Sequence, residues 1–445
     1  MKTVYNRYSP DGVKDYHNAD TFNDEIEFEL NDIDRFPFIL STHFNTSKVS
    51  TVYQLLTLVL LTEGSTELTV EHYADIALML GSCKDVESAE VPKLLEEIAI
   101  EIYNRAKANE FINISPLEGI KWLKENCPTA SASVQAFLNK HGHRALKEYD
   151  LVAITWGMKP DQVIDMIQTT IKGILSYKKD ITAKKKEMTV RDIISKLKTP
   201  KKRLTRFMLS KLIPLCQKAV QLRETSKSAM IAFIHEIRKA YRHLAELLYA
   251  EGLLPNTDLI FYLHREEILE LLHVPTKDEP VSINKSKLIT KAMRRMKLFP
   301  SWASDRFNEL NFGVVKPINN DVPWNVDGSV KHVTGTPVCE GVVTARACVI
   351  KSFDEVHKIE QGDILVTYGT DIGWSPYFPI LGGIVTELGG LISHGAIVAR
   401  EYGLPCVVGC TGATDIFKFG ETITMNGSKG IIIKASDGSK TVVSA

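Results

Sequence analysis

The feature that most narrows the fold of this chain is a change of pattern near residue 314. Before it, apolar residues recur at helical spacing. After it, they gather in short β-type runs: "GVVTARACVI", "DILVTY", "GGIVTEL", "PCVVG", "TITM" and "GIIIKA". Between them, "VVKPINNDVPWNVDGSVKHVTGTP" is rich in Pro, Asn, Asp and Gly and has no period, which marks a linker. The chain therefore divides into an N-terminal extension over 1–35, a helical domain over 36–313, a linker over 314–335 and a small domain over 336–445. A length of 445 residues suits such a multidomain division.

In the helical part, "VPKLLEEIAIEIYNRAKA" (91–108) predicts a helix with Pro92 in its first turn. "SASVQAFLNKHGHRALKEYDL" predicts another, capped by its serines and broken at Gly142. The most regular helix is predicted from about Gln221 to Ala250, stopping at Gly252 with Pro255 beyond. At about 100° per residue, Arg223, Lys227 and Arg238 fall within roughly 60° of one another, bordering the stripe of Met230, Ile234, Ile237 and Tyr241. Such a row faces an anionic group across a cleft, or its stems cover the core edge while its heads reach water. In the small domain, helical pieces "SFDEVHKI" and "AIVAREY" interleave with the strands, and Asn426-Gly427 favours a tight hairpin.

Composition excludes several classes. Lys+Arg and Asp+Glu are equal at 54 each, so no net field recruits nucleic acid or a membrane. The lysine-rich Ser176–Arg206 stretch nearly lacks the aromatics of a nucleic-acid site and reads as a solvated hairpin or loop. The most apolar run, "VYQLLTLVLL", is about half a bilayer span. The seven scattered cysteines and the polar N-terminus suit free thiols in the cytoplasm. Cys406 and Cys410 have no second Cys/His pair at ligand spacing, so no metal is assigned.

One stretch carries chemistry: "GGLISHGAIVAREYGLPCVVG", from Gly389. Gly389 and Gly390 permit a sharp turn, Ser393 suits a helix cap, and Gly403 with Pro405 ends the helix. His394 then lies in the first turn, beside unpaired N–H groups that suit phosphate and disfavour imidazolium. Small neighbours, Gly395 and Ala396, leave room for a nucleophilic ring that accepts and passes on a phosphoryl group. On the residues alone, a capping or buried histidine is an equal alternative. No G-x-S-x-G and no G-x-x-x-x-G-K-[ST] accompanies it.

The run "TELGGLISHGAIVAREYGLPCVVG", with the preceding "GDILVTYGTDIGWSPYFPILGGIV", resembles the phosphohistidine swivelling domain of phosphoenolpyruvate-utilising enzymes. The resemblance implies a β/β/α domain in which His394 is the phosphoryl carrier, framed by Thr386, Gly389, Gly390, Ser393, Gly395 and Arg400. "HGHRALKEYDLVAITWGMKP" and the run from Arg223 to Leu263 resemble the helical, substrate-binding part of rifampicin-phosphotransferase-like members. That looser match implies acceptor contacts at His141, His143, Arg144, Glu148, Arg223, Lys227 and Arg238. It also covers Glu224 and Asp258. Arg144 and Glu148 would equally form a structural ion pair one turn apart if the helix continues.

The implied protein is a multidomain α plus α/β phosphotransferase of the dikinase type. Its small domain swings about Val333–Pro337, and His141 or His143 serves as general base for a small-molecule acceptor. About fifty residues follow His394, so no pyruvate-binding barrel is expected after it. The ATP-grasp domain that charges the histidine in full-length relatives, with its ATP and Mg, is expected to lie outside this chain, which is expected to bind no cofactor of its own. Charging would then come from such a domain in cis or in trans. The alternative is a catalytically inactive binding or regulatory remnant of the family.

Overall fold

The structure, a computed structural model, describes residues 36–65, 68–80, 87–105, 107–176, 188–272, 283–302, 313–315, 332–351, 353–374, 377–391 and 393–435. The N-terminal extension, Cys83, the centre of the lysine-rich stretch (177–187) and most of the linker (316–331) lie outside the described residues.

The first half is helical. It comprises α1 (Phe36–Thr62), α2 (Val70–Leu80), α3 (Glu87–Asn104), α4 (Ala108–Phe111), α5 (Pro116–Asn126), α6 (Pro128–His141) and α7 (Asp161–Ser176). There follow α8 (Val190–Lys196), α9 (Arg203–Ala250), a 3₁₀ turn (Thr257–Tyr262), α10 (Arg265–Leu272) and α11 (Ile283–Trp302). One core forms where α3 buries Val91, Leu95, Ile98 and Ile102, an i, i+4, i+7, i+11 stripe. That stripe shares its cluster with Leu123 of α5, Phe137 of α6 and Ile164, Ile167 and Ile171 of α7. A second core forms along α9, whose Met230, Phe233 and Ile234 pack with Ile39 of α1. The outer side of α1 leaves Phe38, Val49, Val52, Leu56 and Val59 exposed. Among the described residues no helix is long and apolar enough to cross a membrane.

Three helix boundaries differ from the sequence expectation. Pro92 lies inside α3, which begins at Glu87. α6 begins at Pro128 rather than at the serines, because a proline at N1 loses no hydrogen bond there, although its break at Gly142 is as expected. α9 reaches back to Arg203 and carries Pro214 within it, while its end at Ala250 and the left-handed Gly252 match.

The small domain is an eight-stranded sheet in the order β1-β8-β7-β3-β4-β5-β6-β2. The strands are β1 (His332–Thr334), β2 (Thr336–Cys339), β3 (Val342–Ile350), β4 (Ile364–Thr367), β5 (Gly383–Thr386), β6 (Cys406–Val408), β7 (Thr422–Asn426) and β8 (Ile431–Lys434). β3, β4, β5 and β6 run parallel, and the remaining pairings are antiparallel. Two helices, α12 (His394–Tyr402) and α13 (Ala413–Ile416), complete it. β4, β5 and β6 are apolar up to the closing Thr367 and Thr386 because both faces are covered. Ile364 and Val366 join Val385, Val407 and Met425 on one face; Leu365, Ile384 and Cys406 meet Ala396 and Ala399 of α12 on the other.

One extended segment, His332–Cys339, supplies both outer strands of this sheet. Its first half pairs with β8 and its second with β6, so the sheet curls until its two edges share a single strand-length of chain. Gly335 sits at the crossover, where a Cβ would lie 2.5 Å from Cys410 Sγ and 2.6 Å from the Val408 carbonyl oxygen. This corrects the expected hinge at Val333–Pro337: those residues are paired into the sheet, which begins at His332. Cys406 and Cys410 belong to clusters on opposite faces.

Truncating Ile364, fully buried at the start of β4, removes contacts that no neighbour can replace. Urea denaturation of Ile364→Ala is expected to read a loss of about 2–5 kcal/mol.

Candidate functional site

The chain leaves β5 at Thr386 and enters α12 at His394 through a glycine-rich loop. β4 guides the exit: Glu387 N–H donates to the Thr367 carbonyl at 3.1 Å and Leu388 N–H to the Tyr368 carbonyl at 2.8 Å. The Thr386 hydroxyl turns the loop by donating to the Leu388 carbonyl at 2.7 Å. Gly389 then takes φ +127°, a region that favours glycine, and a Cβ there would stand 2.9 Å from Ser393 Oγ. Gly390 accepts the Ser393 N–H at 3.0 Å.

Ser393 occupies the N-cap position in an extended conformation, but its side chain makes no capping hydrogen bond. The expected cap is therefore not formed by the hydroxyl. His394 is the first residue of α12, so its backbone lies at the positive end of the helix dipole, among N–H groups without intrahelical partners. Gly395 is crowded: a Cβ there would fall 2.3 Å from Thr370 Oγ1, so the loop after β4 lies against the first turn of α12. The helix ends as predicted, with Gly403 in the left-handed region at φ 65°.

Arg400 is buried under this loop rather than open to a ligand, and its Nη1 donates to the Leu391 carbonyl at 2.7 Å. Glu387, not singled out from the sequence, is buried and accepts the Thr414 N–H at 2.8 Å and the Thr414 hydroxyl at 2.5 Å. The two bonds lock the strand end to α13.

The helical domain contributes a charged cluster. Gly142 ends α6, and the following turns bring Arg144, Glu148 and Tyr149 against α9. Arg144 Nη1 donates to Glu148 Oε2 at 3.0 Å, and Lys227 Nζ lies 2.9 Å from Glu148 Oε1. The predicted Arg144–Glu148 pair is thus present, though formed across a turn and not along a helix. Burial alone would raise the pKa of Glu148, but Arg144 and Lys227 override it and hold the carboxyl below its usual range. Arg223 pairs with Glu224 at 2.6 Å, and there too the cation overcomes burial and lowers the carboxyl pKa.

Arg238 does not border the apolar stripe in water. It is fully buried, and its Nη2 donates to the carbonyls of Glu148 at 3.0 Å and Asp150 at 2.9 Å. Burial, with Arg242 nearby, pulls its pKa down to about 10. Arg238 therefore shapes the turn that carries Glu148 and is not itself open to a substrate.

The two histidines are also buried. His143 Nε2 lies 3.3 Å from Ser228 Oγ, and burial drives its pKa well below the ordinary value. His141 Nε2 lies 3.5 Å from Glu90 Oε2, and burial lowers its pKa too. Both rings are therefore neutral near pH 7, but neither presents an exposed nitrogen to a bound molecule. Glu87 is different. It opens α3, keeps 14% of its side chain exposed and stands 3.8 Å from Arg144 Nη2. Burial raises its pKa; the Ser228 hydroxyl and Arg144 pull it back without reversing the shift.

The loop after β4 joins the halves. Thr370 touches the first turn of α12, and Asp371 Oδ2 accepts the backbone N–H of Lys147 at 3.1 Å. Leu391 of the glycine loop packs on the cluster of Leu61, Ile76, Met79 and Ile193 from the helical domain. Asp258 lies in the first turn of the 3₁₀ segment beyond α9, where its N–H donates to Asn256 Oδ1. Glu87, Ser228, Thr370 and Asp371 escaped the sequence reading because each is joined to the site only through tertiary contacts. Asp371 lies in the quoted "TDIGWSPYFP" run, which was the one available signal.

Comparison with known proteins matches the two parts of the chain separately. The rifampicin phosphotransferase fourth domain matches residues 43–224, and the mobile domain of PEP-utilising enzymes matches residues 359–430. The chain is similar to a rifampicin phosphotransferase of Bacillus cereus, 33% identical over 308 residues, covering 67% of this chain and 34% of that protein. It is 31% identical to one of Bacillus subtilis over 307 residues, with the same coverage of 67% and 34%. An uncharacterised protein of Mycobacterium tuberculosis is 25% identical over 378 residues, covering 80% of this chain and 38% of its own. The chain thus spans about a third of the length of the rifampicin phosphotransferases it matches.

Two measurements check the site's supports. Arg400→Ala removes a charged donor from the Leu391 carbonyl and is expected to cost about 1.5–3 kcal/mol by urea denaturation. Glu90 has a pKa lowered from 4.5 to about 2, first by the nearby His141 ring and also by Lys140, whose Nζ donates to it at 2.6 Å. A lowered folded-state pKa stabilises above the unfolded value and is lost as pH falls toward 2. Glu90→Gln should therefore flatten the acid limb of the stability profile below about pH 4.5 and leave its alkaline side unchanged.

Proposed function

Because the chain belongs to the PEP-utilising enzyme family, we propose that it carries a phosphoryl group on His394 and delivers it to a small-molecule hydroxyl held against the helical domain. The observation that supports this most is the contact through Thr370 and Asp371. It sets the first turn of α12 and the turn that carries Glu148 of the Arg144–Glu148–Lys227 cluster against adjacent residues of one short loop. The part of the relatives outside this span is where we assign the ATP-grasp domain with its ATP and Mg, acting in cis or in trans.

In the first step an imidazole nitrogen of His394 attacks phosphorus, and the donor's phosphoanhydride P–O bond breaks. The free N–H groups at the start of α12 offset the charge of the transferred group. In the second step the acceptor oxygen attacks phosphorus, and the P–N bond breaks with its electron pair returning to the ring. The hydroxyl proton goes to a carboxylate. Glu87 suits that role better than His141 or His143, being partly exposed with a pKa shifted upward, toward the operating pH. Lys227, 30% exposed, and Arg223, 20% exposed, remain free at one side to meet the phosphoryl oxygens. The acceptor's class is set by the helical surfaces; rifampicin is the acceptor that the relatives' names specify.

The test charges the chain in two ways: with β-labelled ATP and the ATP-grasp domain of a relative, and directly with phosphoramidate. Acid-labile, base-stable label is expected on the wild type and not on His394→Ala. No label on the wild type, with the donor domain active on its own carrier, would favour a binding or regulatory protein instead. In single-turnover transfer from charged chain to rifampicin, Glu87→Gln is expected to slow the step by about 10²-fold, with binding little changed. A rate unchanged by that substitution would remove Glu87 from the role.

A further inference from the structure

Lys147 stands in the left-handed region at φ 53°, where a residue with a Cβ is strained. Such a conformation persists only when its surroundings over-determine it, and here they come from both domains. From the helical side, Asp150 N–H donates to the Lys147 carbonyl at 2.7 Å, and Arg238 holds the next carbonyl, that of Glu148. From the small domain, Asp371 Oδ2 accepts the Lys147 N–H at 3.1 Å while its Oδ1 accepts Gly373 N–H at 3.0 Å. Leu146, one residue earlier, presses on the same loop. A Cβ at Gly373 would lie 2.4 Å from Leu146 Cδ2, so the leucine side chain packs directly against this loop.

These contacts bracket the residue that organises the acceptor cluster. Glu148 follows Lys147 directly and is held between Arg144 and Lys227. On the other side of Asp371, Thr370 lies against Gly395 in the first turn of α12. We infer that Asp371 is a positioning residue that couples docking of the carrier domain to the left-handed turn at Lys147, so that the Arg144–Glu148–Lys227 cluster takes its closed form only when the carrier has arrived. This rests on the carrier reading above and adds an order to it. With the small domain away, the Lys147 N–H has no carboxylate to meet, the turn relaxes, and Glu148 is released for the acceptor to enter. Docking then restores the turn and closes the cluster around the acceptor as the phosphoryl group comes into range. Asp371 acts through Lys147 and touches neither reacting atom.

The experiment is amide hydrogen exchange on the full chain, read on peptides covering 144–150 and on β4 and β5 as an internal reference. Asp371→Ala is expected to speed exchange of the Lys147 amide at least about tenfold and leave the strand peptides unchanged. Asp371→Asn keeps one acceptor oxygen and should recover most of the protection, which a general loss of packing would not allow. Lys147→Gly removes the strain at its source. In the Asp371→Ala background it should restore slow exchange of the neighbouring Glu148 and Tyr149 amides. Unchanged exchange at 144–150 in Asp371→Ala would overturn the coupling, and so would equal speeding in the strand peptides of both Asp371 variants. Phosphoramidate labelling in parallel keeps the two ideas apart. A wild type that cannot be labelled at His394 sinks the carrier reading alone, while a labelled chain with an unresponsive turn sinks the coupling alone.

Discussion

A buried carboxylate must be paired, and the helical half of this site is arranged around one that is. Glu148 is almost fully enclosed, and withdrawing its charge from water is tolerable only because Arg144 and Lys227 meet both oxygens. Neither cation lies on the same regular helix as the carboxylate. The chain must leave α6 at Gly142, turn through Lys147 and return along α9 for the three to meet, and Arg238 holds the carbonyls of that turn. Removing one cation would leave a charge uncompensated in a poorly polarisable interior, which is why so much of the surrounding backbone is committed to the arrangement.

The small domain solves a different problem. A sheet of this size would expose two edges, each a row of unpaired backbone groups. The segment His332–Cys339 pairs with β8 by one half and β6 by the other, so a single stretch of chain covers both edges. The cost is close packing at Gly335, Gly427 and Gly430, where a Cβ would strike a backbone oxygen or sulfur. The result is a rigid platform from which the loop Thr386–Ser393 projects, tied at its base by Thr386, Glu387 and Arg400. For the carrier role proposed above such a base matters, because looseness in the platform would appear as misplacement of the transferred group.

Much of this was legible in the sequence, and the failures share one cause. The strands, α12, its left-handed stop at Gly403 and the break at Gly142 are local, since periodicity and glycine chemistry act over a few residues. The hinge expected at Val333–Pro337 failed because a Pro- and Gly-containing extended stretch looks the same whether it is free or paired to distant strands. The Arg223, Lys227 and Arg238 row failed in part for the same reason. Helical geometry put the three on one side of α9, but a neighbouring turn encloses Arg238 and leaves Lys227 and Arg223 partly open.

The sequence by itself determined that the chain is a helical part followed by a small α/β part, and that one histidine opens a helix after two glycines. Both follow from interactions between residues close in the chain, where spacing is geometry. Only the tertiary structure decided that His141 and His143 are buried and that Glu87 is the partly open carboxylate. It alone set Asp371 and Lys147 facing each other although 224 positions separate them. Burial and electrostatic environment depend on which elements pack together. A side chain's pKa and its reach to a partner are therefore properties of the folded contact, and no local pattern of residues encodes them.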